Sequence, residues 1–136
     1  MTLLVAAAII ENRGKILLAR RRPDAPYPLL WEFPGGKVEP GEDPRDCVVR
    51  EIKEELAIDI AVEGIYDVVF YRYPERHVLV LAYRCRWSSG EIQDLEVSEH
   101  CWVSPSDVER FQLLPADIPL AKRISQEFGD GDTARI

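Results

Sequence analysis

The chain has 136 residues, 46% of them hydrophobic and 30% charged, with a formal net charge of −7. That is enough for one domain around a single buried core, in ordinary globular proportions. The acidic balance argues against a general nucleic-acid-binding surface, while a phosphorylated small molecule stays admissible if cations bridge the like charges. Cys47, Cys85 and Cys101 form no Cys-x-x-Cys pair, which fits buried or free thiols and neither a disulfide framework nor a zinc site.

The apolar run Leu3–Ile10 is too short to span a bilayer, and no basic residue precedes it. Neither a membrane span nor a secretory signal is expected, and the cytoplasm is the expected compartment. With Lys15–Ala19 beyond Glu11-Asn12-Arg13-Gly14, the run reads as two strands joined by a glycine-containing turn. Arg20-Arg21-Arg22 follows, either as a solvated edge that discourages strand pairing or as a cationic contact for a nucleotide. Pro23–Leu30 carries three prolines and reads as an irregular loop. Trp31-Glu32-Phe33-Pro34 then leads into two glycines; the aromatic pair is core packing, or Phe33 is a wall against which a base stacks.

Gly35–Ile58 begins as a loop held by glycines and a proline and continues as a helix, with Asp43 as N-cap and Pro44 at the first helical position. At about 100° per residue, Val48, Val49, Ile52 and Leu56 share one arc and make a core face, and Glu51, Glu54 and Glu55 share the adjacent one. Like charges so placed repel by roughly 0.2–0.5 kcal/mol per neighbouring pair. A metal site accounts for the cluster better than a purely structural helix does.

Ala61–Tyr73 and Arg76–Trp87 read as a strand pair across Pro74-Glu75, apolar on both faces and so expected in the buried middle of a sheet. Glu91–His100 reads as an exposed loop and Trp102-Val103 as a short strand. Ser104-Pro105-Ser106-Asp107 has the form of a capped helix start. A last helix buries Leu120, Ile124 and Phe128 and stops at Gly129, leaving a frayed tail, Asp130–Ile136. The order suggests a mixed sheet with helices on its faces.

From Gly36 the chain reads Gly, five residues, Glu42, seven residues, then Arg50-Glu51-Ile52-Lys53-Glu54-Glu55-Leu56-Ala57-Ile58. This segment resembles the Nudix box of the Nudix hydrolases, with one departure: the family has glycine where this chain has Ala57, a position that closes the helix and supplies no ligand. Trp31–Glu39, Tyr73-Pro74-Glu75-Arg76-His77 and Leu114-Pro115-Ala116-Asp117-Ile118-Pro119 are similar to the corresponding segments of MutT-type members.

The resemblance implies an α/β Nudix fold, a mixed β-sheet sandwiched between α-helices, as a single domain over residues 1–129. It implies Mg²⁺-dependent cleavage of a nucleoside triphosphate to monophosphate and pyrophosphate, with Mn²⁺ as a substitute. By resemblance Glu54, Glu55 and the Gly35 carbonyl are metal ligands, and Glu51 is a ligand or the base that deprotonates water. Glu96 falls where the family has a further metal-binding or base glutamate on a loop, so Glu51 against Glu96 as base stays open. Arg50, at i,i+4 from Glu54, would orient that carboxylate, and Glu42 would brace the loop or helix.

Lys37 meets phosphate or is a surface lysine. Asp117 contacts the base or caps the last helix; Arg21, Phe33, Tyr73 and Arg76 are further pocket candidates. Oxidised guanine nucleotides (8-oxo-dGTP) are the first substrate expected. CTP and 5-methyl-dCTP are the alternative, because a bacterial branch acting on them is similar in Pro-Ala-Asp-Ile-Pro. A non-catalytic Nudix-fold binding module is the competing class, and the retained box glutamates argue against it. A small nucleotide is the expected partner, with no nucleic-acid polymer and no membrane; monomer and homodimer both remain open. His77 and His100 show no ligand spacing.

Overall fold

In a computed structural model that describes residues 1–128, the first apolar run extends as β1 (Thr2–Asn12) and returns as β2 (Lys15–Arg20). The two residues between them, Arg13 and Gly14, have φ of 52° and 78°. Positive φ at both centres makes the tight turn whose twist matches its flanking strands. β1 is central: it runs parallel to β6 (His77–Ser89) from Thr2↔His77 to Glu11↔Arg86. β6 pairs antiparallel with β5 (Asp59–Arg72). On the other side β2 pairs with both β3 (Trp31–Glu32) and β7 (Glu99–Val103), and β4 (Gly35–Lys37) pairs with β1. The main path is β3-β2-β1-β6-β5.

Alternation along β1 sorts two cores. Ala6, Ala8 and Ile10 face α1 (Pro44–Leu56) and its Val48, Ile52 and Leu56. Ala7 and Ile9 face the opposite layer, where α2 (Ile118–Phe128) buries Leu120, Ala121 and Ile124. The alanines of β1 are the small residues of a strand covered on both faces.

α1 starts as its caps predict: Asp43 accepts a hydrogen bond from the Arg45 N–H, and Pro44 occupies the first turn. Its buried face includes Cys47 and Glu55 in addition to Val48, Ile52 and Leu56, whereas Val49 is half-buried.

Several expectations are corrected. Gly35–Lys37, read as loop, is a strand, because glycine lets its backbone lie against β1. The helix expected from Ser104 is a 3₁₀ helix, Pro105–Arg110, and Ser104 makes no side-chain cap. A second short 3₁₀ turn, Pro115–Asp117, precedes α2. The pair β5–β6 is not buried throughout: β5 is the edge strand, leaving Ile65, Val68 and Phe70 at 55%, 50% and 45% exposure. The proposed stop at Gly129 and the tail after it lie outside the described residues. No described helix is long and apolar enough to cross a membrane.

Candidate active site

The acidic arc of α1 lies over β4. A methyl on Gly35 would overlap the Ala6 carbonyl, and one on Gly36 would overlap the Glu51 carboxylate. Close approach, from β1 on one side and α1 on the other, is what these glycines provide.

Arg50 gathers the carboxylates. Its Nε donates to Glu42 at 2.8 Å, and its Nη1 donates to Glu51 at 2.9 Å and to Glu54 at 3.1 Å. The guanidinium, helped by the Glu39 N–H, holds the Glu42 carboxyl down at about 2, so Glu42 remains a charged brace between loop and helix. The i,i+4 pairing of Arg50 with Glu54 is present, and the fork extends it to two further acids.

Glu55 points inward. It is 7% exposed, and its Oε2 is the one buried side-chain atom without a hydrogen-bond partner among the described residues. Burial first, then the charges of Glu32, Glu51 and Glu96, push its carboxyl up to about 10. The loop bearing Glu96 is stitched to the end of α1, the Leu95 and Glu96 N–H groups donating to the Glu55 carbonyl at 3.0 and 3.3 Å.

These residues suit a divalent cation in donor chemistry. Glu51, Glu54, Glu55, Glu96 and the Gly35 carbonyl offer oxygen alone, the set preferred by hard cations. A buried carboxylate oxygen with no partner has an unmet need that a cation meets. With Glu51 and Glu54 turned to Arg50, no three His, Cys, Asp or Glu groups among the described residues converge as a metal cluster.

Beside this face lies a cavity of about 450 Å³. Arg21, Phe33, Lys37, Tyr73, Arg76 and Asp117, six residues scattered through the sequence, all line it, together with Gly35 and Gly36. Asp117 is 4% exposed and accepts a hydrogen bond from the Phe33 N–H at 3.0 Å. That bond takes its carboxylate to β3's end, so Asp117 does not serve as the cap of α2. Burial, reinforced by Glu32, raises Asp117 well above the ordinary carboxylate range. The Tyr73 hydroxyl accepts from the Ala116 N–H at 3.0 Å, fixing the Asp117 turn against β5.

Glu32, Tyr27 and Glu75 are pocket residues that sequence reasoning missed, and Glu32 is the one closest to the acids. Burial raises its carboxyl although Arg21 pairs with it at 3.0 Å. It stands between Asp117 and the α1 glutamates, feeling the charge of Glu51 and imposing its own on Asp117 and Glu55. A two-residue strand has no periodicity to reveal which way it points; the acid between Trp31 and Phe33 was the available signal. In the arginine run, Arg20 pairs with Glu99 and Arg22 with Asp24, and Arg21 alone lines the cavity.

An acid-rich helix crossing a mixed sheet, with glycines beneath its carboxylates, is the arrangement of a Nudix domain, and the NUDIX domain family matches residues 1–126. The chain belongs to the Nudix family and is a Nudix hydrolase. It is 44% identical over 117 residues to the CTP pyrophosphohydrolase of Escherichia coli K12, spanning 85% of this chain and 86% of that protein. It is 31% identical over 125 residues to the 8-oxo-dGTP diphosphatase of the same organism, spanning 91% and 97%. Among solved structures, the MutT protein of Methanosarcina mazei Go1 matches with a TM-score of 0.83 at 25% identity, over 93% of this chain and 94% of that one. Nudix hydrolases generally need a divalent metal.

Proposed function

We propose that this chain is a Mg²⁺-dependent pyrophosphohydrolase that converts a nucleoside triphosphate and water to the monophosphate and pyrophosphate. The observation that carries the reading is the junction of two sites: the oxygen-rich face of α1 and the neighbouring cavity of about 450 Å³ meet at Gly35 and Gly36. A nucleotide whose base fills the cavity would bring its phosphates over Glu51, Glu54 and Glu55. Mg²⁺, bound by Glu54, Glu55 and the Gly35 carbonyl with Glu51 or Glu96, would neutralise the phosphates and polarise their oxygens.

The protein's own groups do the rest. Glu51 or Glu96 takes the proton of the attacking water. Arg50 holds Glu51 and Glu54 in place, with Glu42 as its anchor. Lys37 lies at the cavity rim, where an ammonium meets phosphate.

For the base, cytosine is the first reading. A carboxyl group kept protonated by burial both donates and accepts, and cytosine offers a ring nitrogen that accepts beside an amine that donates. Burial raises the carboxyl of Asp117 and that of Glu32 beside it, the direction that favours the protonated form. The 44% identity to a CTP pyrophosphohydrolase supports the same base. Oxidised guanine is the second reading, supported by the 31% identity to an 8-oxo-dGTP diphosphatase; an ionised Asp117 would accept from the guanine N1–H and exocyclic amine.

A panel of CTP, 5-methyl-dCTP, 8-oxo-dGTP, ADP-ribose and a dinucleoside polyphosphate, assayed for pyrophosphate with and without Mg²⁺, tests this. Mg²⁺-dependent release from a triphosphate is expected. Turnover of ADP-ribose or the dinucleotide alone would refute the substrate class.

A further inference from the structure

Part of the cavity wall, Pro26 and Tyr27, comes from the loop Pro23–Leu30, and its construction is not that of a passive connection. Tyr27 and Leu29 hold φ of 53° and 62°, a backbone region that side chains disfavour. The arginine run pins them there: the Arg20 Nε donates to the Leu29 carbonyl at 2.9 Å, the Arg21 Nε to the Pro26 carbonyl at 2.8 Å, and the Arg21 N–H to the Leu30 carbonyl at 2.8 Å. The outcome of this restraint is the placement of one aromatic ring. Tyr27 lines the cavity, tilts against Tyr73 with centroids 5.1 Å apart, and donates its hydroxyl to Glu75 at 2.6 Å. Glu75 sits in the turn between β5 and β6 and lines the same cavity. Loop and turn meet through this pair, whose two residues lie 48 apart in sequence.

We propose that Tyr27 is a specificity-determining residue: its ring is the aromatic wall that stacks on the substrate's base, and its bond to Glu75 fixes the width of the cavity mouth. Tyr73 is 9% exposed, with its hydroxyl accepting from the Ala116 N–H, so it offers less open surface to a ligand than Tyr27 does. Tyr27 is half-buried and lines the cavity. A ring held at fixed height accepts a flat base without paying for its own ordering on binding. The inference rests on the reading of this cavity as a base pocket.

The test measures binding of mononucleotide product by calorimetry with Mg²⁺ present, using whichever of CMP and 8-oxo-dGMP binds wild type more tightly, with ribose 5-phosphate as the baseless control. Tyr27→Ala should weaken the nucleotide roughly tenfold or more while leaving ribose 5-phosphate unchanged. Tyr27→Phe and Glu75→Ala keep the ring and break the bond; each should weaken the nucleotide less than Tyr27→Ala, and the double variant Tyr27→Phe/Glu75→Ala should lose no more than either alone. In turnover, Tyr27→Ala should raise KM for the preferred triphosphate and narrow the ratio of kcat/KM between cytosine and guanine substrates. Unchanged nucleotide binding in Tyr27→Ala, or equal loss of nucleotide and ribose 5-phosphate, overturns the role of Tyr27 and leaves the base pocket standing. Wild type that binds nucleotide no better than ribose 5-phosphate overturns both.

Discussion

Ala57 closes α1 with φ 63° and ψ 17°, its N–H donating to the Lys53 carbonyl at 3.1 Å. The left-handed conformation brings Cβ against the neighbouring carbonyl and costs an L-residue about 1–2 kcal/mol. Glycine lacks that clash but loses about 0.5–1 kcal/mol more backbone freedom on folding. Ala57→Gly should therefore stabilise the protein by about 0.5–1 kcal/mol, which for a domain of this size is a rise in Tm of roughly 2–4 °C. Thermal and urea denaturation, run without metal, would measure it. The urea slope should not change, since the same surface is exposed on unfolding. Equal or lower stability would show that the Ala57 methyl contributes packing worth more than the strain, and the strain argument would fall. The departure from the family's glycine is thus expected to affect the frame of the site while its chemistry stays intact.

Two further outcomes follow from the buried acids. Glu55→Gln replaces a desolvated carboxyl group whose Oε2 has no partner by a neutral amide of the same size, so metal-free stability should change little, while the increase in Tm produced by saturating Mg²⁺ should shrink and pyrophosphate release should collapse. An undiminished Mg²⁺ shift would remove Glu55 from the ligand set. Asp117→Asn bears on pH. Because the folded carboxyl titrates above its unfolded value near 3.8, its contribution is full below that pH and is lost as pH rises toward the folded value. The asparagine variant, whose amide oxygen still accepts from the Phe33 N–H beside Glu32 and Arg21, should match wild type near pH 3.5 and gain on it toward pH 7. The slope of that gain is at most about 1.4 kcal/mol per pH unit for one proton. A stability difference independent of pH would show that Asp117 folds ionised; an unchanged preference among CTP, 5-methyl-dCTP and 8-oxo-dGTP would show that it does not read the base.

The acidic helix was legible from the chain because its signals are local. Asp43 and Pro44 mark its start, the 3.6-residue period separates Val48, Ile52 and Leu56 from the glutamates, and charge repulsion makes that cluster costly without a function. Strands β1, β2, β5 and β6 were legible for the same reason. Tertiary structure decided what depends on distant partners. That Gly35–Lys37 is a strand follows from its pairing with β1, and that β5 is an edge follows from its having no neighbour beyond it among the described residues. The depth of Glu32 and Asp117, hence their raised carboxyls, comes from three chain segments meeting over 84 residues of separation between Phe33 and Asp117. Capping and periodicity act within a few residues, and sequence carries them whole; desolvation is a property of what surrounds a group, and only folding assembles the surroundings.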